Sequence, residues 1–216
     1  MLKVESLQVT IKGFVILRGV SLEVPAGGVV GLVGRNGAGK TTTLKSIMGL
    51  MPVTGGAISL EGEDLLRIPG HKRAQLGIGY VPEDRRLIGS LTVEDNILMP
   101  AWATGRTDGP RRLEYIYGVM PDVEALRGRR GAACSGGQQK MVALARALMT
   151  GTKLLLLDEP FEGLSPAMGE KFARTIQALQ QERLSLLIAE SDNKRLDFIE
   201  KVYTIERGEI VQHAAA

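Results

Sequence analysis

Residues Gly34–Thr41 read G-R-N-G-A-G-K-T and match G-x-x-x-x-G-K-[ST], the pattern of a phosphate-binding loop. Glycines in such a loop let the backbone turn tightly, so that successive N–H groups converge on phosphate oxygens without a Cβ in the way. Lys40 is placed to reach the β- and γ-phosphates of a nucleotide, and the hydroxyl of Thr41 is placed to hold Mg²⁺. The pattern predicts a nucleoside triphosphate site, against the alternative of a glycine-rich turn that matches by chance.

A second chemical pattern is L-L-L-L-D-E-P at Leu154–Pro160. Four apolar residues predict a strand buried on both faces, and open α/β sheets bind ligands at the carboxyl ends of such strands. Asp158 at that end can orient Mg²⁺, and Glu159 can accept a proton from an attacking water. Such a run is often only a strand terminus, but this one lies 118 residues after the lysine of a phosphate loop (158 minus 40).

The third pattern, C-S-G-G-Q at Cys134–Gln138, predicts the start of a helix. Ser135 is a good helix cap, and the glycines Gly136 and Gly137 expose backbone N–H groups at the positive end of the helix. The segment predicts a second anion site, with a merely well-capped helix as the equal alternative. Two phosphate-binding surfaces and one phosphate loop suit a head-to-tail pair of subunits, in which each subunit completes the other's site.

The elements that position these motifs alternate between strands and helices. The apolar segment Gly28–Val33 predicts a strand before the phosphate loop, and Thr42–Leu50 predicts a helix after it. Leu2–Val9 alternates apolar and polar residues, and Phe14–Val24 does so less strictly, which indicates an antiparallel edge piece. The remaining predicted strands and helices of the core are Ala57–Leu60, Gly77–Val81, Ser135–Met149, Leu154–Leu157, Pro166–Glu182, Ser185–Ala189 and Lys201–Ile205, with a last short strand after Gly208.

Between Glu83 and Ala133 the strand patterns stop and helical patterns replace them. Helices are predicted over Thr92–Ala103 and Arg111–Met120, the first with a capping-box start. We therefore predict one domain over residues 1–216. Its α/β core, with a mostly parallel sheet and an antiparallel β part, comprises residues 1–82 and 151–216, and its helical subdomain comprises about 83–150.

Composition limits the class of protein. The chain has 216 residues, 44% of them apolar and 24% charged, as in ordinary globular proteins. No apolar run approaches the roughly 18 residues of a membrane span, and the N-terminus lacks the apolar core of a signal peptide. The one cysteine, Cys134, excludes an internal disulfide. We therefore expect a cytoplasmic protein.

The charge gives little support to nucleic-acid binding. The net charge is only +3, from 27 basic and 24 acidic residues. The densest basic region, Arg106–Arg130, holds six arginines interspersed with acidic residues. A solvated helical face explains that pattern better than a nucleic-acid patch does, so we expect no nucleic-acid partner.

Taken together, these motifs resemble the nucleotide-binding subunit of ATP-binding cassette (ABC) transporters. Gly34–Thr41 corresponds to Walker A, Ser135–Gln138 to the signature segment and Leu154–Glu159 to Walker B. Phe161–Ser165 fits the loop that follows Walker B in that family. The resemblance implies the ABC ATPase fold, which is a P-loop NTPase core with an antiparallel β subdomain and an inserted helical subdomain.

The resemblance also implies the ligands and the residues that bind them. ATP and Mg²⁺ are the expected ligands, with Glu159 as general base and Mg²⁺ held by Thr41, Asp158 and Glu83. The signature segment is expected to close on the γ-phosphate of the opposite subunit. The residues expected to contact ATP are Asn36, Gly37, Ala38, Gly39, Lys40, Thr41, Thr42, Ser135, Gly136, Gly137 and Gln138.

Two further segments narrow the resemblance to one branch. Tyr80–Arg86 and Leu91–Asn96 resemble the ATPases of branched-chain amino-acid importers, in which Glu83 stands where most cassettes have a glutamine. This implies an importer of amino acids or related small polar solutes, with transmembrane permease subunits and a second ATPase subunit, identical or different, as partners. The resemblance also implies a solute-binding protein as an indirect partner and a peripheral position on the inner face of the cell membrane.

The chain departs from the family pattern at four positions. Cys134 replaces the usual leucine. Ile11 occupies the position of the tyrosine that stacks on adenine in the family, and Phe14 is a candidate to stack in its place. Glu83 adds negative charge that Mg²⁺ or Arg85 must compensate. Ser191 occupies the position of the switch histidine, and we keep it as a second candidate catalytic residue.

Two other functions stay open at this point. Ser191 allows a largely non-catalytic ATP-binding partner in a heterodimer, which the retained Glu159 argues against. A non-transport ABC ATPase is disfavoured, because such chains insert long coiled coils or contain two cassettes. Here only 95 residues separate Lys40 from Ser135 (135 minus 40), and they contain no heptads.

Overall fold

Two β-sheets and a group of helices make up the fold in the computed structural model, which describes residues 1–192 and 198–215. The strands are β1 Leu2–Ile11, β2 Phe14–Val24, β3 Val29–Val33, β4 Gly55–Leu60, β5 Glu63–Asp64, β6 Ile78–Val81, β7 Leu154–Asp158, β8 Ser185–Glu190, β9 Lys201–Glu206 and β10 Glu209–Ala215. The α-helices are α1 Lys40–Ile47, α2 Gly70–Arg73, α3 Val93–Thr104, α4 Gly109–Val119, α5 Pro121–Glu124, α6 Gly136–Thr150 and α7 Pro166–Gln181. Short 3₁₀ turns cover Leu65–Arg67, Ala74–Leu76 and Gly131–Ala133.

The larger sheet has the strand order β10-β9-β3-β8-β7-β6. Strands β9, β3, β8, β7 and β6 run parallel, and only β10 pairs antiparallel. Every residue of β7 and β8 is buried, which is expected of central strands whose two faces are both covered. The predicted, mostly parallel α/β sheet is confirmed, and the carboxyl ends of β3, β7 and β8 meet at one edge.

The smaller sheet is antiparallel, with the order β2-β1-β4-β5. Its first two strands are the predicted antiparallel edge piece, and β2 begins and ends at the predicted residues. The inward residues of this sheet share one hydrophobic core with α1 and with one face of the larger sheet. The phosphate loop and α1 therefore lie between the two sheets.

The helices α3 to α6 form a second layer, which packs with α7 on the other face of the larger sheet. The predicted start of α3 is confirmed, because the Thr92 hydroxyl oxygen accepts the N–H of Asp95 at 3.0 Å.

The helix α1 is shorter than predicted and ends at Ile47. Gly49 follows in the left-handed region (φ 71°), and the N–H of Leu50 donates to the Lys45 carbonyl, which closes the helix. The division into core and helical subdomain stays a prediction.

Candidate nucleotide site

The phosphate loop connects β3 to α1, and two of its glycines are required by close packing. A Cβ at Gly34 would lie 2.3 Å from the Ile205 carbonyl oxygen, and one at Gly39 (φ 115°) would lie 2.7 Å from a Leu17 methyl group. Lys40, the first residue of α1, is only 4% exposed. Its ammonium donates to the Gly34 carbonyl at 2.5 Å and forms an ion pair with Glu159 Oε1 at 3.0 Å.

Thr41, which follows Lys40 in the phosphate loop, contacts Asp158 at the end of β7. The Thr41 hydroxyl donates to Asp158 Oδ1 at 2.9 Å, and the Tyr80 hydroxyl donates to Asp158 Oδ2 at 3.1 Å. Burial raises the pKa of Asp158, while these two hydrogen bonds oppose the rise. Burial and the Asp158 charge raise the pKa of Tyr80, so its hydroxyl stays protonated and remains a donor.

The carboxylate of Glu159, directly after β7, faces two groups of the site. Besides the Lys40 ammonium, the Ser191 hydroxyl lies 2.9 and 3.0 Å from its two carboxylate oxygens. The same hydroxyl lies 3.0 Å from Asn36 Oδ1 in the phosphate loop. Ser191 therefore joins the loop to the candidate general base.

Asn36, Lys40, Thr41 and Glu159 line one open cleft of about 430 Å³, which we call the nucleotide cleft. It is lined by Ile16, Asn36, Gly37, Gly39, Lys40, Thr41, Thr42, Glu83, Glu159 and Glu162. Ala38, which was expected to contact the nucleotide, is buried and does not line the cleft as the structure describes it. Ile16 was missed by the sequence analysis. It places an apolar side chain beside the phosphate loop, whereas Phe14 is 74% exposed.

Glu83 lines the same cleft, and its charge is not compensated by Arg85. Burial raises the pKa of Glu83, and the nearby carboxylates Glu162, Asp158 and Glu159 raise it further. The guanidinium of Arg85 instead lies 3.4 Å from Gln139 Oε1 on α6. The expectation that Arg85 could neutralise Glu83 is therefore wrong, and a bound cation is the remaining candidate.

The donor set suits Mg²⁺ only together with a phosphate ligand. No group of three or more His, Cys, Asp or Glu side chains that could hold a metal ion occurs within residues 1–192 and 198–215. Mg²⁺ usually keeps several waters and binds through one or two carboxylates and substrate phosphates. Thr41, Asp158 and Glu83 line a second cleft, which shares Thr41 and Glu83 with the nucleotide cleft, and they fit that requirement.

The signature segment has the predicted helix cap but does not line the nucleotide cleft. The Ser135 N–H donates to Gln138 Oε1 at 2.9 Å, and the Gln138 N–H donates to the Ser135 hydroxyl oxygen at 3.3 Å. This capping box starts α6 and leaves Ser135 and Gly136 exposed. As the structure describes the cleft, no residue of Ser135–Gln138 is in its lining. The structure brings Walker A, Walker B, Glu83 and Ser191 together and leaves the signature segment apart.

Two buried charged residues next to Glu159 were missed by the sequence analysis. Lys140 on α6 donates from its ammonium to the Glu159 carbonyl at 2.7 Å, and Glu190 at the end of β8 accepts the N–H of Phe161 at 2.9 Å. Burial lowers the pKa of Lys140 and raises the pKa of Glu190 to about 7. The sequence signals were weak, because Lys140 follows two glutamines in its predicted helix and Glu190 lies directly after the predicted strand Ser185–Ala189.

The raised pKa of Glu190 gives a testable dependence of stability on pH. Its ordinary pKa is 4.5, so between about pH 4.5 and 7 the folded chain binds more protons than the unfolded chain. This contribution to the free energy of unfolding is present below pH 4.5 and is lost as the pH rises through 7, at about 1.4 kcal/mol for each pH unit between the two pKa values. Urea unfolding from pH 5 to 8 is expected to show a smaller decline in Glu190→Gln than in the parent. Equal declines would show that Glu190 is not the group responsible.

No helix in the part of the chain that the structure describes is long and apolar enough to cross a membrane. The chain resembles solved ATP-binding cassettes along its whole length. It covers 98% of a cassette whose structure is described as a dimeric structure of MJ0796, a bacterial ABC transporter cassette. That comparison gives a TM-score of 0.88 and 25% identity, and it covers 100% of this chain.

Curated relatives give the same assignment. The high-affinity branched-chain amino acid transport ATP-binding protein BraG of Pseudomonas aeruginosa is 37% identical over 198 residues, which are 91% of this chain and 85% of BraG. The lipopolysaccharide export system ATP-binding protein LptB of Escherichia coli is 34% identical over 215 residues, which are 98% of this chain and 89% of LptB. The sequence profile of the ABC transporter family matches residues 17–162. The chain therefore belongs to the ABC transporter family, as an ATPase of the ABC type.

Proposed function

We propose that this chain powers a membrane importer for amino acids or related small polar solutes by hydrolysing ATP in the nucleotide cleft. The observation that supports the site most strongly is the meeting of the phosphate loop with the end of β7. The Lys40 ammonium lies 3.0 Å from Glu159 Oε1, and the Thr41 hydroxyl lies 2.9 Å from Asp158 Oδ1. BraG, by its name, serves branched-chain amino acid transport, and the importer-like segment Tyr80–Arg86 supports the same choice.

In this proposal the chain's own residues divide the chemistry among them. Lys40 and the backbone N–H groups of the phosphate loop bind the phosphates, whose charge competes with Glu159 for the Lys40 ammonium. Glu159 then accepts the proton of the attacking water. Thr41, Asp158 and Glu83 would hold Mg²⁺, which neutralises phosphate charge when bound.

A second ATPase subunit would complete the site. Ser135 caps α6 but lies outside the nucleotide cleft of its own chain, so its exposed N–H-rich helix start is available to the γ-phosphate of a facing subunit. The dimeric MJ0796 cassette supports such pairing.

We further propose that residues 83–150 form a helical subdomain next to transmembrane permease subunits. The chain then works on the inner face of the cell membrane, and a solute-binding protein acts only indirectly.

Ser191 is proposed as a short substitute for a histidine in contact with Glu159. Its hydroxyl reaches Glu159 and Asn36 but cannot become cationic at neutral pH. Removing one transition-state donor costs roughly 10²–10³ in rate where such donors have been tested. We expect Ser191→Ala to lower single-turnover hydrolysis by a smaller factor, about tenfold, and Ser191→His to raise it. A Ser191→Ala rate equal to the parent's in the assembled complex would show that Ser191 has no part in the chemistry.

Transport in a reconstituted system tests the importer proposal. The chain is purified from detergent-solubilised membranes with its permease subunits, which are identified by mass spectrometry and reconstituted in liposomes. ATP-dependent accumulation of labelled branched-chain amino acids, abolished by Glu159→Gln, is the expected result. If the co-purified permeases are those of a lipid exporter, the importer assignment is contradicted. A function in lipopolysaccharide export, as in the name of LptB, would then be favoured. Hydrolysis that depends only on a different ATPase subunit would make this chain the non-catalytic partner.

A further inference from the structure

Two buried charged side chains hold the main chain at the candidate general base. Lys140, in the second turn of α6, is 3% exposed, and Glu190, the last residue of β8, is 8% exposed. The Lys140 ammonium donates to the carbonyl oxygen of Glu159 at 2.7 Å. The Glu190 carboxylate accepts the N–H of Phe161, two residues further along, at 2.9 Å. Neither group has a part in the hydrolysis mechanism described above.

The backbone at this point needs support. Glu159 has φ 47°, in the left-handed region that is uncommon for residues other than glycine. Its carbonyl also accepts the N–H of Glu162, but at the longer distance of 3.3 Å. The conformation turns the chain at the end of β7 so that the Glu159 carboxylate faces Lys40 and Ser191. A small change in that turn would move the carboxylate away from both groups.

A lysine buried only to fill space would be a poor choice. Desolvation of the ammonium is costly, and burial lowers the pKa of Lys140, with the nearby Arg85 lowering it further. The charges of Glu162, Glu190 and Glu159 offset that cost in part. The ammonium therefore lies among the acidic groups that surround the end of β7, with its hydrogen bond directed at the base residue's own carbonyl.

We propose that Lys140 and Glu190 are positioning residues for ATP hydrolysis, which hold the main chain of Glu159–Phe161 so that the Glu159 carboxylate faces the phosphate loop. This inference rests on the proposed role of Glu159 as general base. Lys140 lies five residues after Ser135 on the same helix (140 minus 135). The helix that presents the signature segment to a facing subunit thus also holds the base of its own subunit.

The expected signature is a loss of rate without a loss of nucleotide affinity. Lys140→Met keeps the side-chain stem and removes the ammonium, and misplacing a catalytic group by about 1 Å can cost on the order of 10²-fold. Single-turnover hydrolysis by the purified chain is expected to fall about 10- to 100-fold. The Kd for ATP, measured by calorimetry, is expected to stay within about twofold, because the phosphate loop does not depend on Lys140. Lys140→Arg, which retains donors, is expected to recover part of the rate. An unchanged rate, or a change in Kd alone, would overturn the inference.

A double-mutant cycle separates positioning from general damage. In the Glu159→Gln background no base remains to be positioned, so Lys140→Met is expected to cause no further loss. The same fold-loss in both backgrounds would overturn the inference. If Glu159→Gln itself hydrolyses ATP at the parent's rate, the proposed function fails. If Glu159→Gln is inactive and Lys140→Met is not impaired, only the positioning inference fails.

Further variants serve as controls. Arg73 is likewise buried and donates to the main-chain carbonyls of Ser46 and Ile47, at the far end of α1. Arg73→Met is expected to lower the melting temperature but to keep the hydrolysis rate, and an equal loss of rate would overturn the inference. At the second position, Glu190→Gln keeps an acceptor for the Phe161 N–H, whereas Glu190→Leu does not. Glu190→Leu is expected to lose more of the hydrolysis rate than Glu190→Gln. If Lys140→Met does not fold, equal rates in these two Glu190 variants would overturn the inference.

Discussion

The Glu159→Gln variant is expected to bind ATP at least as tightly as the parent and to hydrolyse it at least about a hundredfold more slowly. An amide has nearly the shape of the carboxylate but cannot take a proton from water. General-base catalysis contributes typically 10²–10⁴ in rate, so the expected loss lies in that range. Glutamine also removes the ion pair of 3.0 Å with Lys40, which leaves the ammonium free to bind phosphate.

Retained ATP gives this variant a second expected property, the accumulation of an ATP-bound dimer. Size-exclusion profiles with and without ATP, together with phosphate release, measure both properties. Glu170→Gln is the matched control, because Glu170 is an exposed residue of α7 with the same chemical change, and it is expected to behave as the parent does. Hydrolysis by Glu159→Gln at the parent's rate would remove Glu159 from the role of base.

Lys40→Ala is expected to abolish tight nucleotide binding. A hydrogen bond to a charged group contributes about 1.5–3 kcal/mol, which corresponds to roughly 10- to 100-fold in affinity. The substitution also leaves the buried Glu159 carboxylate without its ammonium partner, and that repels the phosphates further. The expected loss of affinity is therefore at least a hundredfold, accompanied by a lower free energy of unfolding.

Calorimetric titration with ATP measures this loss directly. Lys72→Ala is the matched control, since Lys72 is an exposed lysine of α2 outside the nucleotide cleft. The control is expected to bind ATP with the affinity of the parent. An unchanged affinity in Lys40→Ala would mean that Gly34–Thr41 is not the phosphate site.

The parts of the site that could be predicted from the sequence are those set by local patterns. The phosphate loop, the buried strand β7 and the Ser135 cap each depend on residues within a few positions of one another. Strand β2 alternates only in part, yet it was predicted with its observed bounds. The contacts of Tyr80, Lys140 and Glu190 join elements that are distant in sequence, 78 residues apart for Tyr80 and Asp158. No local pattern contains that information.

The error over Arg85 has a similar cause. Arg85 and Arg86 both have positive φ, 61° and 48°, which turns the chain after Glu83 in a way that arginine side chains do not favour. The guanidinium of Arg146 on α6 stabilises this turn by donating to the carbonyls of Arg85 and Arg86 at 2.5 and 2.6 Å. The Arg85 side chain consequently faces Gln139 rather than Glu83. Proximity in sequence was a poor guide because the backbone conformation came from a tertiary contact.

The most direct test of the roles given to Lys40 and Glu159 identifies the nucleotide that remains bound after incubation with radiolabelled Mg-ATP. Chains of the parent, Glu159→Gln and Lys40→Ala are trapped by rapid filtration, and the bound label is separated into ATP and ADP. We expect ADP on the parent, ATP on Glu159→Gln and almost no label on Lys40→Ala. ADP on Glu159→Gln in the parent's proportion, or labelled nucleotide retained by Lys40→Ala, would contradict those roles.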